Sequence, residues 1–543
     1  MDTDAGFAVP LPGAVPAPTA AVDPAPVAVP VSPKKKGTLT RRASLTAVAS
    51  MLDYTVKAVV SLVITPILVG GLGRSLYGIW EMLGRLIGYM TATDGRPTEA
   101  LRLVISQQQA AAPDVNRRTI GAALAVWLLM LPLVAVVGGA LAWLSPTLTH
   151  VSAENAPAVR ITCLFLVLSF IFTGLAAIPE SVLRGMNLGY KRMGLQAGLS
   201  IIVGALAVWV VKAGYGLEGM GASQIVRAFI TGAVFWLLVK NYVPWFHVAK
   251  PTWDMIKSLF SMSVWLSVGD LVAKILLASD VLILGWVIAP AAVTTYVLTS
   301  YAARTGLGVF VFTMGAAMPG YGGLLGQKKF ASAVKLRHEL RMLTWLFTTV
   351  VGATILVWNH SFIHLWVGSR NYAGAWVDLL IVVNSMQTKF IRTDSYIIDA
   401  ALNPKSRVLI GAITAVATLA LGITLTHMLG ILGMCLALLV GRAIQSVAYP
   451  LIVHACLAKP KPIRAERLAA VRMAIVTLLL LAATSFAGRE IVAPSWPVWI
   501  AGVPVTLLVI ATVTLFVGPM PEDRRVIVTR VRNMMAGLRR SPA

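Results

Sequence analysis

The chain has 543 residues, of which 57% are hydrophobic and only 13% charged, and its mean hydropathy is +0.79. Soluble domains are about one quarter charged, so this composition excludes an ordinary soluble protein and indicates a membrane protein. The formal net charge is +24, but the basic residues are scattered and form no stripe with interleaved aromatic residues, which argues against nucleic-acid binding.

The N-terminal segment, residues 1–43, is predicted to be a disordered cytoplasmic tail. Its first 33 residues contain eight prolines among Ala and Val, which prevents a stable helix. Acidic Asp2 and Asp4 and the interrupting prolines are also atypical of a signal peptide. The tail ends in Lys34–Lys36 and Arg41-Arg42, a basic run suited to anionic lipid headgroups.

Apolar runs long enough to cross a hydrocarbon core of ~30 Å recur along the rest of the chain. They predict an all-α polytopic membrane protein with about 14 transmembrane helices, at residues 46–70, 76–93, 119–143, 158–180, 194–212, 219–239, 259–286, 293–317, 340–359, 375–400, 408–427, 430–456, 470–487 and 496–517.

The distribution of Lys and Arg predicts the orientation of these helices. If both termini are cytoplasmic, the loops on the opposite side contain only Arg74, Arg160, Lys212, Arg370 and Arg489 of the 46 basic residues. This asymmetry is what the positive-inside rule requires. The Arg-rich tail, residues 518–543, is then also cytoplasmic.

Polar residues inside the apolar helices recur at a nearly constant offset. Matching residues lie 214–219 positions apart: Asp53/Asp270, Lys57/Lys274, Tyr77/Tyr296, Arg85/Arg304, Gly219/Gly433, Arg227/Arg442 and Asn187/Asn403. The repeat predicts two six-helix lobes, residues 44–245 and 255–457, related by a pseudo-twofold axis along the membrane normal. An additional helix pair, residues 470–517, follows the second lobe.

The ionisable residues at bilayer depth are the candidate functional residues, because burying a charge there costs ~2.5–3.5 kcal/mol on insertion scales. Asp53 and Lys57 share a helix face, as do Asp270 and Lys274. One interpretation is a self-neutralising pair that only lowers the cost of insertion. The other is a functional pair near the pseudo-twofold axis, with Asp53, Asp270 and Asp399 as charge partners or carriers of a coupling ion.

Further polar residues cluster on the tenth predicted helix and on the second and eighth. Lys389, Arg392, Tyr396 and Asp399 fall along one side of the tenth helix, and Asp394 points elsewhere. Together with Arg85, Arg304, Lys57 and Lys274, these bases could bind a doubly charged phosphate group, for which Lys and Arg are suitable donors.

Nothing in the sequence predicts a catalytic or metal site. Cys163, Cys435 and Cys456 lie in apolar spans without ligand spacing, and the seven His residues are scattered. Nucleophile-elbow, P-loop and zinc-protease motifs are missing from the sequence. The segments between the predicted helices are too short for a catalytic domain. We therefore predict that the protein is not an enzyme and uses no cofactor.

The run Thr65-Pro66-Ile67-Leu68-Val69, with Leu72-Gly73, Leu76–Trp80 and Asp94-Gly95, resembles the N-terminal signature of polysaccharide and oligosaccharide flippases. These belong to the multidrug/oligosaccharidyl-lipid/polysaccharide exporter superfamily. The resemblance implies two six-helix lobes, with Lys57 and Lys274 at positions that are often basic in such flippases. Arg96-Pro97-Thr98-Glu99 departs from the small apolar residues that the signature leads one to expect.

The resemblance implies alternating-access transport of a lipid-linked oligosaccharide across a bacterial cytoplasmic membrane. The residues and the resemblance together predict a substrate site that comprises Lys57, Lys274, Arg85, Arg304, Lys389, Arg392 and Tyr396. H⁺ or Na⁺ is the possible coupling ion, membrane lipids and a polysaccharide polymerase are possible partners, and a monomer is expected. The alternatives are a lipid II flippase, a multidrug or cation exporter, and an integral-membrane glycan-processing enzyme.

Overall fold

A computed structural model describes residues 36–108, 112–186, 188, 193–310, 318, 321–401, 404–457, 464–522, 524, 525 and 529. Contacts group residues 45–543 into one compact unit, and the unit that precedes it, residues 1–44, is described only from Lys36. The predicted N-terminal tail up to residue 35 and most of the basic C-terminal tail lie outside the described residues.

The described structure is helical throughout. Its first part contains α1 (Lys36–Tyr89), α2 (Pro97–Gln107), α3 (Pro113–Leu148), α4 (Ala156–Gly185), α5 (Met193–Lys212) and α6 (Gly216–Tyr242). The second part contains α7 (Trp253–Val287), α8 (Pro290–Thr299), α9 (Tyr301–Gly308), α10 (Phe330–Val367), α11 (Ala375–Ala400), α12 (Pro404–Cys456), α13 (Arg464–Glu490) and α14 (Trp496–Val517). No strand occurs among the described residues, and the predicted all-α class is confirmed.

Two of these helices change direction at a glycine. Gly73 in α1 has φ 77° and Gly430 in α12 has φ 61°, a backbone region that favours glycine. Each glycine separates two arms, residues 36–72 and 74–89 of α1 and residues 404–429 and 431–456 of α12. The arms explain why two predicted spans fall within one helix of 54 or 53 residues.

Membrane crossing is supported by length and composition. Nine helical segments of the described chain are long and apolar enough to cross a bilayer, and two of them have 43 and 52 residues, enough for two crossings each. α7 and α11 are also long enough, with 35 and 26 residues, but each contains several charged residues, among them Asp270 and Lys274 in α7 and Lys389 and Asp394 in α11. The protein is a multi-pass membrane protein.

Close packing brings the second arm of α1 against α7 and α8. A Cβ atom added at Gly78 would lie 1.9 Å from the backbone oxygen of Pro290, so only glycine allows this approach. Met82 packs against Leu284 in a buried cluster that also contains Met434. These contacts join helices of the two predicted halves.

α2 is a short helix that the apolar runs did not predict. Pro97 occupies its first turn, where the missing N–H costs no hydrogen bond. Leu101 and Ile105 are fully buried, in one cluster with Phe235 of α6 and Leu259 of α7. This packing holds the segment after α1 close to the first half of α7, next to the candidate site.

Candidate functional site

The first predicted ion pair lies on the first arm of α1. Lys57 Nζ is 2.8 Å from Asp53 Oδ2, as their i, i+4 spacing requires. The Lys57 side chain is 52% exposed, and Asp53 is its acidic partner within the described chain. Lys57 therefore pairs with a residue of its own helix, and the other side of its ammonium group is exposed.

The second predicted pair is part of a larger network between α7 and the end of α1. Lys274 Nζ donates to the Gly88 carbonyl oxygen and to Thr91 Oγ1, both at 2.6 Å, and lies 3.3 Å from Asp270 Oδ2. Thr91 Oγ1 also contacts Asp270 Oδ2 at 2.7 Å. The two repeat-related pairs therefore have different surroundings.

Arg96 completes this network, which we call the α1–α7 network (Gly88, Thr91, Arg96, Asp270 and Lys274). Its Nη1 atom is 3.2 Å from Asp270 Oδ1, so the carboxylate is shared by two cations and a hydroxyl group. Sequence reasoning assigned Arg96 no role, although its departure from the flippase signature was a signal. The network joins the predicted cytoplasmic end of the second helix to the middle of the seventh.

Asp94 adjoins the α1–α7 network in the turn that follows α1. Its Oδ1 atom accepts the backbone N–H of Arg96 at 2.8 Å. Burial raises the pKa of Asp94 from 3.8 to about 6, and this effect outweighs the neighbouring Arg96 and Lys274 charges, which lower the pKa. Asp94 is therefore a group that changes charge near neutral pH beside an interhelical contact.

Arg85 and Arg304 have no ion pair or side-chain hydrogen bond within the described part of the chain. Arg85, on the second arm of α1, is half-buried, and Arg304, on α9, is exposed. Arg304 lies close enough to Tyr54 and Tyr77 to interact with them electrostatically, so this arginine of the second predicted half faces helices of the first.

Two acidic residues of the same region, Glu81 and Asp280, accept hydrogen bonds from tyrosines. Tyr77 Oη donates to Glu81 Oε1 at 3.3 Å, and Tyr296 Oη donates to Asp280 Oδ2 at 2.8 Å. Within the described residues, Arg85 and Arg304 thus lack an acidic partner, whereas Glu81 and Asp280 each accept a hydrogen bond from a tyrosine.

The predicted cluster on α11 forms a second group of cations. Lys389 and Arg392 are neighbours without an acidic partner in the described residues, and the Arg392 guanidinium carbon lies 5.5 Å from the centre of the Tyr396 ring. Asp399 Oδ2 is 2.6 Å from Arg407 of α12. Within the described residues, none of these side chains forms an ion pair or hydrogen bond with Lys57 or Lys274, so the predicted site residues fall into two groups.

Asp394 faces away from this cluster, as the helical spacing indicated, and has its own partners. Its two carboxylate oxygens lie 3.0 Å from Arg337 Nη2 and 2.9 Å from Arg341 Nη1, both on α10. Its side chain is only 3% exposed. This buried triad joins α10 to α11, a contact between positions far apart in sequence that no local pattern indicates.

Within the described residues, no three His, Cys, Asp or Glu side chains are close enough to hold a metal ion together.

Residues 46–321 match the family of polysaccharide biosynthesis proteins. No curated protein matches the chain in sequence.

Among solved structures, the chain resembles a multidrug resistance MATE family transporter of the MOP superfamily in an inward-facing conformation, with TM-score 0.63, 14% identity, and 75% of this chain and 94% of the other covered. It also resembles the lipid II flippase MurJ in an inward closed conformation, with TM-score 0.64, 12% identity and coverage of 87% and 97%. A third similar structure is the Vibrio cholerae MATE transporter VcmN, with TM-score 0.54, 16% identity and coverage of 77% and 98%. These similarities establish the fold. The family match, which spans just over half of the chain, establishes that the protein belongs to the family of polysaccharide biosynthesis proteins.

Proposed function

We propose that the protein moves a lipid-linked oligosaccharide across the bacterial cytoplasmic membrane by alternating access, with both termini in the cytoplasm. The observation that carries the proposal is the presence of Arg85 and Arg304, without acidic partners in the described chain, on helices that contact each other across the two predicted halves. The family match supports a role in polysaccharide biosynthesis.

The charge of these residues favours an anionic substrate. An unpaired cation at bilayer depth is costly, and a phosphate or pyrophosphate group that enters beside it offsets part of that cost. A cation exporter would instead need free carboxylates, but Glu81 and Asp280 already accept hydrogen bonds from tyrosines. The lipid tail would stay in the bilayer while the charged headgroup and sugars pass between the lobes.

Alternating access requires contacts that break on one side of the membrane while the other side is closed. We propose that the α1–α7 network closes the cytoplasmic side, because it joins the predicted cytoplasmic end of the second helix to α7. Opening towards the cytoplasm would separate Lys274 from Gly88 and Thr91, and Asp270 from Thr91 and Arg96. Asp270 would then keep only Lys274 of these partners and could bind H⁺ or Na⁺. Lys57, already free on its outer face, would remain available to substrate.

Transport of a fluorescently labelled, pyrophosphate-linked oligosaccharide lipid in reconstituted vesicles tests the proposal. The double variant Arg85→Gln/Arg304→Gln should slow transport at least ~10-fold, since each charge-assisted hydrogen bond contributes ~1.5–3 kcal/mol. Arg160→Gln is the matched control, because the Arg160 guanidinium already has a partner, the Trp143 ring at 4.6 Å, and both residues belong to the first predicted half. Unchanged transport by the double variant, or an equal loss with Arg160→Gln, would contradict the proposed route.

A further inference from the structure

A cavity of about 120 Å³ lies between α7, α11 and both arms of α12. Three arginines line it, Arg392, Arg407 and Arg442, together with Leu277, Thr388 and Gln445. The cavity is several times larger than the ~30 Å³ that one water molecule occupies in the liquid, so it can admit a compact polar group. It is formed by helices of the second predicted half.

Arg442 is built into the wall of this cavity. The residue is only 8% exposed, and its guanidinium group donates to the Leu276 carbonyl oxygen at 2.8 Å and to Thr388 Oγ1 at 3.2 Å. Both acceptors are neutral. Asp280 is near enough for an electrostatic interaction, but within the described residues it forms no ion pair with Arg442. The buried charge is therefore held in place but not neutralised by a direct partner.

The other two arginines leave an excess of positive charge. Arg407 is paired with Asp399 at 2.6 Å. Arg392 forms no ion pair within the described residues, although it is near enough to the same Asp399 for an electrostatic interaction, and it lies over the Tyr396 ring. Lys389, next to Arg392, adds a further positive charge. Even with Asp280 and Asp399 both counted, cations outnumber acids around the cavity.

Apolar side chains border the cavity on the outer surface of the helices. Leu277, which lines it, is 50% exposed, and Leu409 and Ile413 on the adjacent face of α12 are 63% and 52% exposed. In a membrane protein such exposed leucine and isoleucine side chains contact lipid tails. A positively charged cavity beside a lipid-facing surface fits a ligand with an anionic head and an apolar tail.

We propose that this cavity binds the phosphate ester group of an anionic membrane lipid through Arg392, Arg407 and Arg442. Arginine is suited to this ligand because its planar donors match the oxygens of phosphate. Free phosphate shares the recognised group and is the other possible source of it. The site differs from the proposed transport route at Arg85 and Arg304, and its occupancy does not depend on turnover.

Native mass spectrometry of the full-length protein in neutral detergent measures this binding directly. Phosphatidylglycerol should bind, and a diacylglycerol with the same acyl chains, which lacks the phosphate, should not. Arg392→Gln and Arg442→Gln should each weaken phosphatidylglycerol binding about 10-fold. Arg392 is exposed, so its variant keeps the test valid if Arg442→Gln does not fold.

Lys405→Gln is the matched control, since Lys405 is an exposed cation on the same helix as Arg407 and Arg442 but does not line the cavity. A parallel melting experiment with inorganic phosphate, at constant ionic strength, identifies the source of the group. Stabilisation by inorganic phosphate that Arg392→Gln abolishes would support the same site with free phosphate as its ligand. Equal binding of diacylglycerol, wild-type binding by Arg392→Gln, or an equal loss with Lys405→Gln would overturn the proposal.

Discussion

Lys274 and Lys57 occupy equivalent positions in the sequence repeat, but the structure gives them different partners. Replacing each of them separately by Ala tests this difference. Lys274 Nζ joins α7 to the end of α1 through the Gly88 carbonyl oxygen and Thr91 Oγ1, both at 2.6 Å. Within the described residues, the ion pair of Lys57 Nζ is with Asp53 on its own helix, at 2.8 Å. We therefore expect Lys274→Ala to destabilise the fold and Lys57→Ala to leave it nearly unchanged.

The expected magnitudes follow from these contacts. Two charge-assisted hydrogen bonds contribute ~1.5–3 kcal/mol each. In Lys274→Ala, Thr91 and Arg96 still contact Asp270, so part of the stabilisation between α1 and α7 remains. The expected loss in the free energy of unfolding is therefore about 2–4 kcal/mol. The Lys57 side chain is 52% exposed, and a pair of this kind contributes only ~0.2–1 kcal/mol.

Thermal melting of the purified variants in detergent, followed by tryptophan fluorescence, measures the difference. Lys274→Ala should melt clearly below the wild type, and Lys57→Ala should melt within error of it. The same variants separate folding from transport, because Lys57→Ala should still reduce oligosaccharide export at an equal protein level if its free outer face binds substrate. Equal melting temperatures for both variants would refute the inference that Lys274 joins the two halves.

Three further predictions use other parts of the molecule. Gly78→Ala should lower the melting temperature, because the new Cβ atom would meet a backbone oxygen of α8, whereas Gly84→Ala, with no atom within 4 Å, should not. The pKa of Asp94 is raised from 3.8 to about 6 in the folded protein, so the folded state binds the proton more tightly than the unfolded state. The stabilisation that results is fully present below about pH 4 and is lost as the pH rises through about 6. The melting temperature of Asp94→Asn, measured across this range, should lack this pH-dependent stabilisation. A cysteine at exposed Ser75 should react with an impermeant thiol reagent from outside the cell and a cysteine at exposed Gly326 should not; equal labelling of both would contradict the predicted orientation.

The helices were predictable because the membrane imposes a simple rule on the sequence. Apolar runs of the required length locate most spans. The Gly73 turn falls between two predicted spans, and the Gly430 turn falls at the first residue of the span predicted at 430–456. α2 was missed because it is short and amphipathic: its buried residues Leu101 and Ile105 are four positions apart on one face of a helix that also contains Glu99 and Arg102. A search for continuous apolar runs cannot find such a helix.

The i, i+4 pairs within single helices could also be predicted, since local geometry alone brings their charges together. The contact between Arg96 and Asp270 could not, because it depends on how α2 and α7 pack, and nothing local specifies a partner that far along the chain. The triad of Asp394 with Arg337 and Arg341 was unpredictable for the same reason. Helical spacing indicated only that Asp394 faces away from the other charges of α11.

An internal repeat conserves residue types between the two halves but not their partners, and this distinction bears on function. Lys274 is held by hydrogen bonds to α1, while its counterpart Lys57 has a free outer face. A transporter that alternates between two states needs basic residues that hold one state closed and other basic residues that bind the substrate. The same residue cannot serve both purposes at once, because a cation that is already hydrogen-bonded within the protein is not available to the substrate. The α1–α7 network supplies the first kind in the structure described here, and Lys57, Arg85 and Arg304 are the candidates for the second. An anionic substrate would then bind to basic residues that are not part of the α1–α7 network. Its binding would not require the contacts of that network to break.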